Sequence, residues 1–317
     1  MIGLVDITPL HWAGFIVFII FCLALDLGFL NRKGSVITFK KALLWTSGWF
    51  SLSMLFALVL LIFRTRQEAL DYVTGYIVEL SLSMDNVFVI ACIFSYFRVP
   101  EQYQRRVLIW GILGALFMRG VMIGLGAALI QQFIWILYLL GAFLVFTGIK
   151  MLFSEEDGVE PEKNPFIKYV RKLFPISNTF ERDQFFTQID GRMALTPLAL
   201  VLIMVETTDL VFAVDSIPAI FGITQDPFIV FTSNIFAILG LRSLYFVLAG
   251  AINYFHYLKY GLSIVLIFIG GKMVAGYFHL HIPTWLALSI VIGILGSSVC
   301  FSIIRTRQNP PTDLSHY

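Results

Sequence analysis

Nine apolar stretches, each nineteen residues or longer, divide this chain: Trp12–Leu30, Ala42–Phe63, Tyr72–Phe97, Val107–Ile130, Phe133–Phe153, Ala194–Phe221, Phe228–Asn253, Tyr260–Phe278 and Thr284–Ile304. A helix needs about 20 apolar residues to cross the hydrocarbon core of a bilayer. A segment in lipid must also satisfy its own backbone, so the spanning form is a helix. The expected fold is all-α: a polytopic membrane bundle of nine transmembrane helices, numbered here in order. Only 13% of residues are charged, against roughly 25% in soluble domains. The net charge of +2 carries no basic footprint of the kind nucleic acid requires, and no nucleic-acid partner is expected. Met1 to Leu10 has no basic n-region and carries Asp6, unlike a cleaved signal peptide. Cys22, Cys92 and Cys300 are far apart in apolar stretches and form no CxxC pair.

Basic residues orient the bundle. With the N-terminus outside, seventeen Lys and Arg fall in the inside loops, and only Arg64 and Arg66 fall outside. The expectation is an outside N-terminus and a cytoplasmic C-terminus. One long segment, Ser154–Arg192, holds Pro161, Pro165 and Pro175 and an acidic run (Glu155, Glu156, Asp157, Glu160, Glu162). It reads as a solvated cytoplasmic connector, and the tail Pro310–Tyr317 as disordered.

Acidic side chains sit inside two of the apolar stretches. Helix 3 contains Glu79-Leu80-Ser81-Leu82-Ser83-Met84-Asp85-Asn86, and helix 6 contains Glu206-Thr207-Thr208-Asp209 followed by Asp215-Ser216-Ile217-Pro218. An ionised carboxylate at bilayer depth costs about 2.5–3.5 kcal/mol even on the lenient insertion scale. The two segments also open an internal repeat. Ser83 to Phe88 resembles Thr207 to Phe212 at offset 124, Arg119 matches Arg242 at offset 123, and Phe146-Thr147-Gly148-Ile149-Lys150-Met151 matches Phe268-Ile269-Gly270-Gly271-Lys272-Met273 at offset 122. Residues 72–153 (helices 3–5) therefore repeat as 194–278 (helices 6–8), flanked by peripheral helices 1–2 (12–63), the connector 154–193, helix 9 (284–304) and the tail 305–317. Three spans per unit force the second copy to insert upside down. Such inverted repeats build secondary transporters whose sites lie near the midplane.

At 100° per residue, Glu79, Ser83 and Asn86 share one face of helix 3, with Asp85 roughly 120° away. Glu206, Asp209 and Ser216 share a face of helix 6, with Asp215 opposite. Pro218 clashes with the carbonyl of Val214, so the sequence predicts broken helices around Asp215 that bring the five carboxylates together. The intramembrane acids are Asp26, Glu79, Asp85, Glu206, Asp209 and Asp215; the bases are Arg119, Arg242 and Lys272, with Lys150 near the inner end. A surplus of two or three negative charges matches one divalent cation or its equivalent in protons. Carboxylates, the Asn86 amide and the Ser216 hydroxyl are hard oxygen donors suited to Mn²⁺, Mg²⁺ or Ca²⁺. Arg119, Arg242 and Lys272 are candidate charge-balancing groups, or else hold helices in register. Asp26 is a candidate ligand on the way into the site. His279 and His281 are candidates for a weak outer metal site, with an interfacial role favoured.

At Ser83-Met84-Asp85-Asn86-Val87-Phe88-Val89, at Phe212 to Ile220, and at Asn234 to Arg242, the chain resembles the TerC/Alx family of bacterial inner-membrane proteins, within the wider LysE-like transporter group. The resemblance runs from Leu25-Asp26-Leu27-Gly28 to the end of helix 8. It implies an inner-membrane manganese exporter that protects the cell from excess Mn²⁺, and a link to tellurite resistance. It implies Asp85 and Asp215, the acids within those motifs, as metal ligands. Together with the residues read above, the expected ligands are Glu79, Asp85, Glu206, Asp209 and Asp215, supported by Asn86 and Ser216, with no resident cofactor. No GxxxxGK[ST] loop is present, and exporting a divalent cation against an inside-negative potential costs about 4.6 kcal/mol per 100 mV. Exchange for protons is therefore expected, with Ca²⁺ or Mg²⁺ transport, or a membrane scaffold docking through Ser154–Arg192, as the alternatives. No nucleophile–base pair or cofactor motif points to an enzyme.

Overall fold

The computed structural model describes residues 8–30, 39–153, 165–177, 179–181, 183–189, 191–249, 258–278, 280 and 282–308. The acidic run of 155–162, His279, His281 and the tail 310–317 lie outside them. The element order is α1 (Pro9–Leu30), α2 (Phe39–Phe63), α3 (Arg66–Tyr96), α4 (Glu101–Gln132), α5 (Trp135–Phe153), α6 (Pro165–Leu173), β1 (Phe186–Ile189), β2 (Arg192–Leu195), α7 (Pro197–Phe221), α8 (Pro227–Leu239), α9 (Leu241–Ala249), α10 (Leu258–Tyr277) and α11 (Thr284–Gln308).

Among the described residues, eight of these helices are long and apolar enough to cross a membrane, and α8 with α9, bent by 43°, makes a ninth if the pair is one span. The fold is a polytopic helical membrane bundle, as its apolar runs require. Helix starts follow local chemistry. Thr65 caps α3 by accepting from the Glu68 amide, at 3.1 Å. Thr196 and Asp226 cap α7 and α8, each followed by a proline at the first helical position. Proline is tolerated there because its missing N–H would be unpaired anyway.

Two expectations change. The helix carrying Asp215 is not unwound: α7 runs unbroken through Pro218 to Phe221. Pro218 lies in the last turn, so it removes one rung near an end rather than dividing the span. The break falls instead within the seventh apolar stretch, at Gly240, between α8 and α9. The Gly240 carbonyl there accepts from the Ser243 hydroxyl at 2.9 Å. The segment Ser154–Arg192 is also more than a linker. Its described part holds α6 and β1, and β1 pairs antiparallel with β2, which begins at the segment's last residue; Phe186 pairs with Leu195 and Ile189 with Arg192.

α3 is the central helix and packs against α2, α7, α8, α9 and α11. Buried polar contacts join it to neighbours, with Ser53 bonded to Tyr72 at 2.8 Å and Gln67 to Thr284 at 2.5 Å. α5 packs along α10. A Cβ added at Gly270 would fall 2.5 Å from the Gly141 carbonyl, and one at Gly148 would fall 2.8 Å from the Ser263 carbonyl. Lipid supplies no hydrophobic drive between helices, so small residues that admit close backbone contact carry such pairs.

Candidate functional site

α3, α4, α7 and α8 meet around one guanidinium. Regular helix geometry turns Glu79, Ser83 and Asn86 to one side of α3, where all three are buried. α7 presents Asp209 and Ser216, and α8 presents Asn234, fully buried. Between them α4 inserts Arg119, 1% exposed. Its Nη1 donates to Glu79 Oε1, to Ser216 Oγ at 3.3 Å and to Asn234 Oδ1 at 3.5 Å. Its Nη2 donates to Asp209 Oδ1 at 2.9 Å, and Nε to Asp209 Oδ2 at 3.3 Å. The Asn86 amide donates to Asp209 Oδ1 at 3.2 Å. Three long-range helices thus converge on a group that no local pattern could have paired.

Two carboxylates face one guanidinium, so the cluster carries one more negative than positive charge. Its oxygens are also under-used. Glu79 Oε2, Ser83 Oγ and Asn86 Oδ1 are buried with no hydrogen-bond partner, as is Asn234 Nδ2. Buried polar atoms are nearly always paired, and one left alone costs about 1–3 kcal/mol. Several orphans at one point mark a place built for more than helix packing.

The other predicted acids stand apart. Asp85 is half-buried on another face of α3 and is not bonded to Arg119. Asp215 faces α5, near Thr147 and the Lys150 ammonium. Glu206 lies one turn from Asp209 against bare α4 backbone, in the space a Cβ at Gly114 would fill. Among the described residues, no hydrogen bond or ion pair holds Glu206. The expected convergence of five carboxylates is therefore not found: among the described residues, no three His, Cys, Asp or Glu side chains stand close enough to hold one metal ion. The reason is that α3 and α7 stay regular, so residues on opposite faces cannot meet.

The bases also sort differently from expectation. Arg242, at the start of α9, pairs with Asp26 of α1 at 3.0 Å and donates to the Asp26 carbonyl at 3.0 Å. Lys272 lies near Asp71 rather than the central acids. Asp71, buried in the first turns of α3 and bonded by Gln67 at 2.9 Å, stands one residue before the apolar stretch that was expected to begin at Tyr72. Its Gln67–Asp71 spacing of four was the available signal. Asn234 left none, being a neutral amide in an apolar run.

Residues 64–310 match the family model described as "Integral membrane protein TerC family". The chain is 47% identical over 306 residues to the "Uncharacterized membrane protein STKORF319" of Myxococcus xanthus, covering 96% of each chain. It is 48% identical over 297 residues to the "Putative membrane-bound redox modulator Alx" of Escherichia coli (strain K12), covering 91% of this chain and 92% of that one. An "Uncharacterized membrane protein" of Rickettsia bellii is 39% identical over 296 residues, covering 93% and 98%. No solved structure matches the chain.

Proposed function

The chain belongs to the TerC family of integral membrane proteins, and from that membership and the Arg119 cluster we propose that it exports Mn²⁺ from the cytoplasm in exchange for protons. The observation that carries this reading is the set of unpartnered buried oxygens on Glu79, Ser83 and Asn86, gathered where two carboxylates outnumber one guanidinium. With Asp209 and Ser216 they form a hard-oxygen donor set of the kind Mn²⁺ accepts.

Arg119 and the transported cation compete in this mechanism. The guanidinium lies between Glu79 and Asp209, where a divalent ion would bridge the same two carboxylates. When the ion binds, Arg119 yields those oxygens, and the Asn86 and Ser83 acceptors complete the coordination. When the ion leaves, Arg119 returns and neutralises one carboxylate, and a proton neutralises the other. The carrier thus crosses the membrane with few uncompensated charges in either direction, which alternating access requires. The bend between α8 and α9 provides a place for one side of the site to move. Asp85 and Asp215 serve the ion before or after this position, and Glu206, one turn from Asp209, adds its negative charge to the site without coordinating the ion.

Orientation with a cytoplasmic C-terminus belongs to the same proposal and rests on the basic-residue asymmetry; the inner-membrane location and export rather than uptake rest on the family resemblance. Cys22, Cys92 and Cys300 form no disulfide with one another and lie on α1, α3 and α11.

Flux in proteoliposomes tests the reading. Mn²⁺ flux is expected to exceed Ca²⁺ and Mg²⁺ flux, to fall when the proton gradient is collapsed, and to be lost in Glu79→Gln and Asp209→Asn. Unchanged flux without the gradient would remove the antiport. Ca²⁺ or Mg²⁺ carried faster than Mn²⁺ would change the ion. Undiminished flux in both variants would remove the site.

A further inference from the structure

We propose that α6 is an in-plane anchor that binds anionic phospholipid headgroups. On a helix advancing 100° per residue, Lys168, Arg171 and Lys172 fall within one arc of about 100°, and Tyr169, Leu173, Val170 and Ile167 fill the opposite side. The apolar side is divided. Ile167, 1% exposed, and Val170 pack into the cluster containing Leu198 and Val201 of α7. Tyr169 and Leu173 remain 64% and 56% exposed. They flank the basic arc rather than the protein.

The position of α6 is fixed at a membrane boundary. Just past its end, the Pro175 carbonyl accepts from the Leu195 amide at 2.9 Å, and the Ser177 amide donates to the Leu195 carbonyl at 2.8 Å. Leu195 stands two residues before the first residue of the spanning helix α7. The helix is therefore held at the level where a span leaves the hydrocarbon. Among the described residues, Lys168, Arg171 and Lys172 make no ion pair.

A short helix with a basic arc beside exposed aromatic and aliphatic side chains fits one surface best. Tyr169 and Leu173 enter the acyl boundary while the ammonium and guanidinium groups meet lipid phosphates. Charge complementarity selects anionic headgroups over zwitterionic ones. Because α6 packs on the first turns of α7, the helix that carries Asp209, the anchor also fixes the register of that span against the bilayer surface. This inference does not depend on which ion the central site carries.

Backbone hydrogen exchange of residues 165–173 tests it, using the full chain in nanodiscs of phosphatidylcholine with and without phosphatidylglycerol. In the wild type, exchange is expected to slow by about fivefold or more when phosphatidylglycerol is present. Raised salt is expected to remove much of that difference. Lys168→Gln, Arg171→Gln and Lys172→Gln together should abolish the lipid-dependent difference, while Tyr169→Ser with Leu173→Ser should raise exchange in both lipids. Equal exchange in both compositions for the wild type overturns the proposal. So does protection that appears only at high protein concentration, which assigns the face to a second copy, or protection conferred by an added acidic peptide but not by phosphatidylglycerol. Exchange elsewhere in α7 reports whether each variant is folded.

Discussion

Arg119 and Arg242 occupy matching positions in the two similar halves, both buried, yet their surroundings differ by one carboxylate. Arg119 holds Glu79 and Asp209 together. Among the described residues, Arg242 holds one carboxylate, Asp26, and also donates to that residue's carbonyl. The second arrangement is balanced and uses its donors locally, at the point where α9 begins. The first is short of positive charge and surrounded by unpartnered acceptors. On the proposed mechanism, the same residue type acts as a fastener in one half and as a displaceable counter-ion in the other. What separates the two roles is the charge of the partners, not the burial of the arginine.

The largest expected effect follows from removing each arginine. Truncating one partner of a buried ion pair costs about 3–5 kcal/mol, because the other charge stays behind unpaired. Arg119→Met and Arg242→Met should both lower thermal stability by amounts of that order. They should differ in rescue. Ligand at a hundredfold above its Kd stabilises by about 2.7 kcal/mol, so Mn²⁺ should recover much of the loss in Arg119→Met, where two carboxylates await a cation. Mn²⁺ should do nothing for Arg242→Met, where one remains. Adding Asp26→Leu to Arg242→Met removes the stranded charge and should return stability to within about 1–2 kcal/mol of the parent. Thermal melting of the purified protein with and without Mn²⁺ reads all of this. Equal rescue of both arginine variants would break the comparison.

The helix arithmetic of the sequence already sorted much of the site. Glu79, Ser83 and Asn86 on one face, Asp209 with Ser216 on another, and Asp85 and Asp215 pointing away are all where 100° steps place them, because α3 and α7 are regular throughout. The expectation that failed was the one that departed from that arithmetic. A proline one turn from a helix end does not unwind the helix behind it, and Asp215 kept its place facing Thr147. What could not be read was long-range. Nothing in the chain order says that Arg119 reaches Glu79 and Asp209 at once, that Lys272 lies by Asp71, or that Asn234 joins the cluster. These depend on packing between residues far apart in the chain, 115 positions for Arg119 and Asn234 and more for Lys272 and Asp71. The bend at Gly240 was likewise hidden, since its flanks are as apolar as the rest of the span.

A middle-sized effect sharpens the comparison from the acid side. Glu206 adds a third carboxylate near Asp209 with no equivalent beside Asp26, and its position depends on Gly114 having no side chain. Gly114→Ala should push that carboxylate aside and cost about 1–3 kcal/mol if the helices must also shift. Mn²⁺ affinity should fall as it does in Glu206→Gln, while Gly111→Ala, whose Cβ would meet only Val205 Cγ1 at 3.3 Å, should leave affinity unchanged. Isothermal titration of the three variants separates them. Wild-type affinity in Glu206→Gln would confine the charge surplus to Glu79 and Asp209.

The smallest expected effect concerns the bend beside the fastener. Gly240 has φ −76° and ψ −14°, a conformation any residue adopts. A Cβ there would meet the Ala237 carbonyl at 3.6 Å and Trp49 Cβ at 3.7 Å, both ordinary contacts. Neither backbone strain nor space therefore requires glycine at this point. Gly→Ala at a compatible site typically adds about 0.4–1 kcal/mol by narrowing the unfolded ensemble, and Gly240→Ala should be stabilised by that much. α8 carries Asn234 of the Arg119 cluster and α9 carries Arg242, so on the proposed mechanism the joint between them is where one half of the pair would tilt while Asp26 holds the other. Gly240→Ala should accordingly slow the Mn²⁺ turnover rate while leaving equilibrium affinity unchanged. A variant that is more stable and equally fast would show that α8 and α9 move as one body, and that the fastener and the counter-ion are not separated by a hinge.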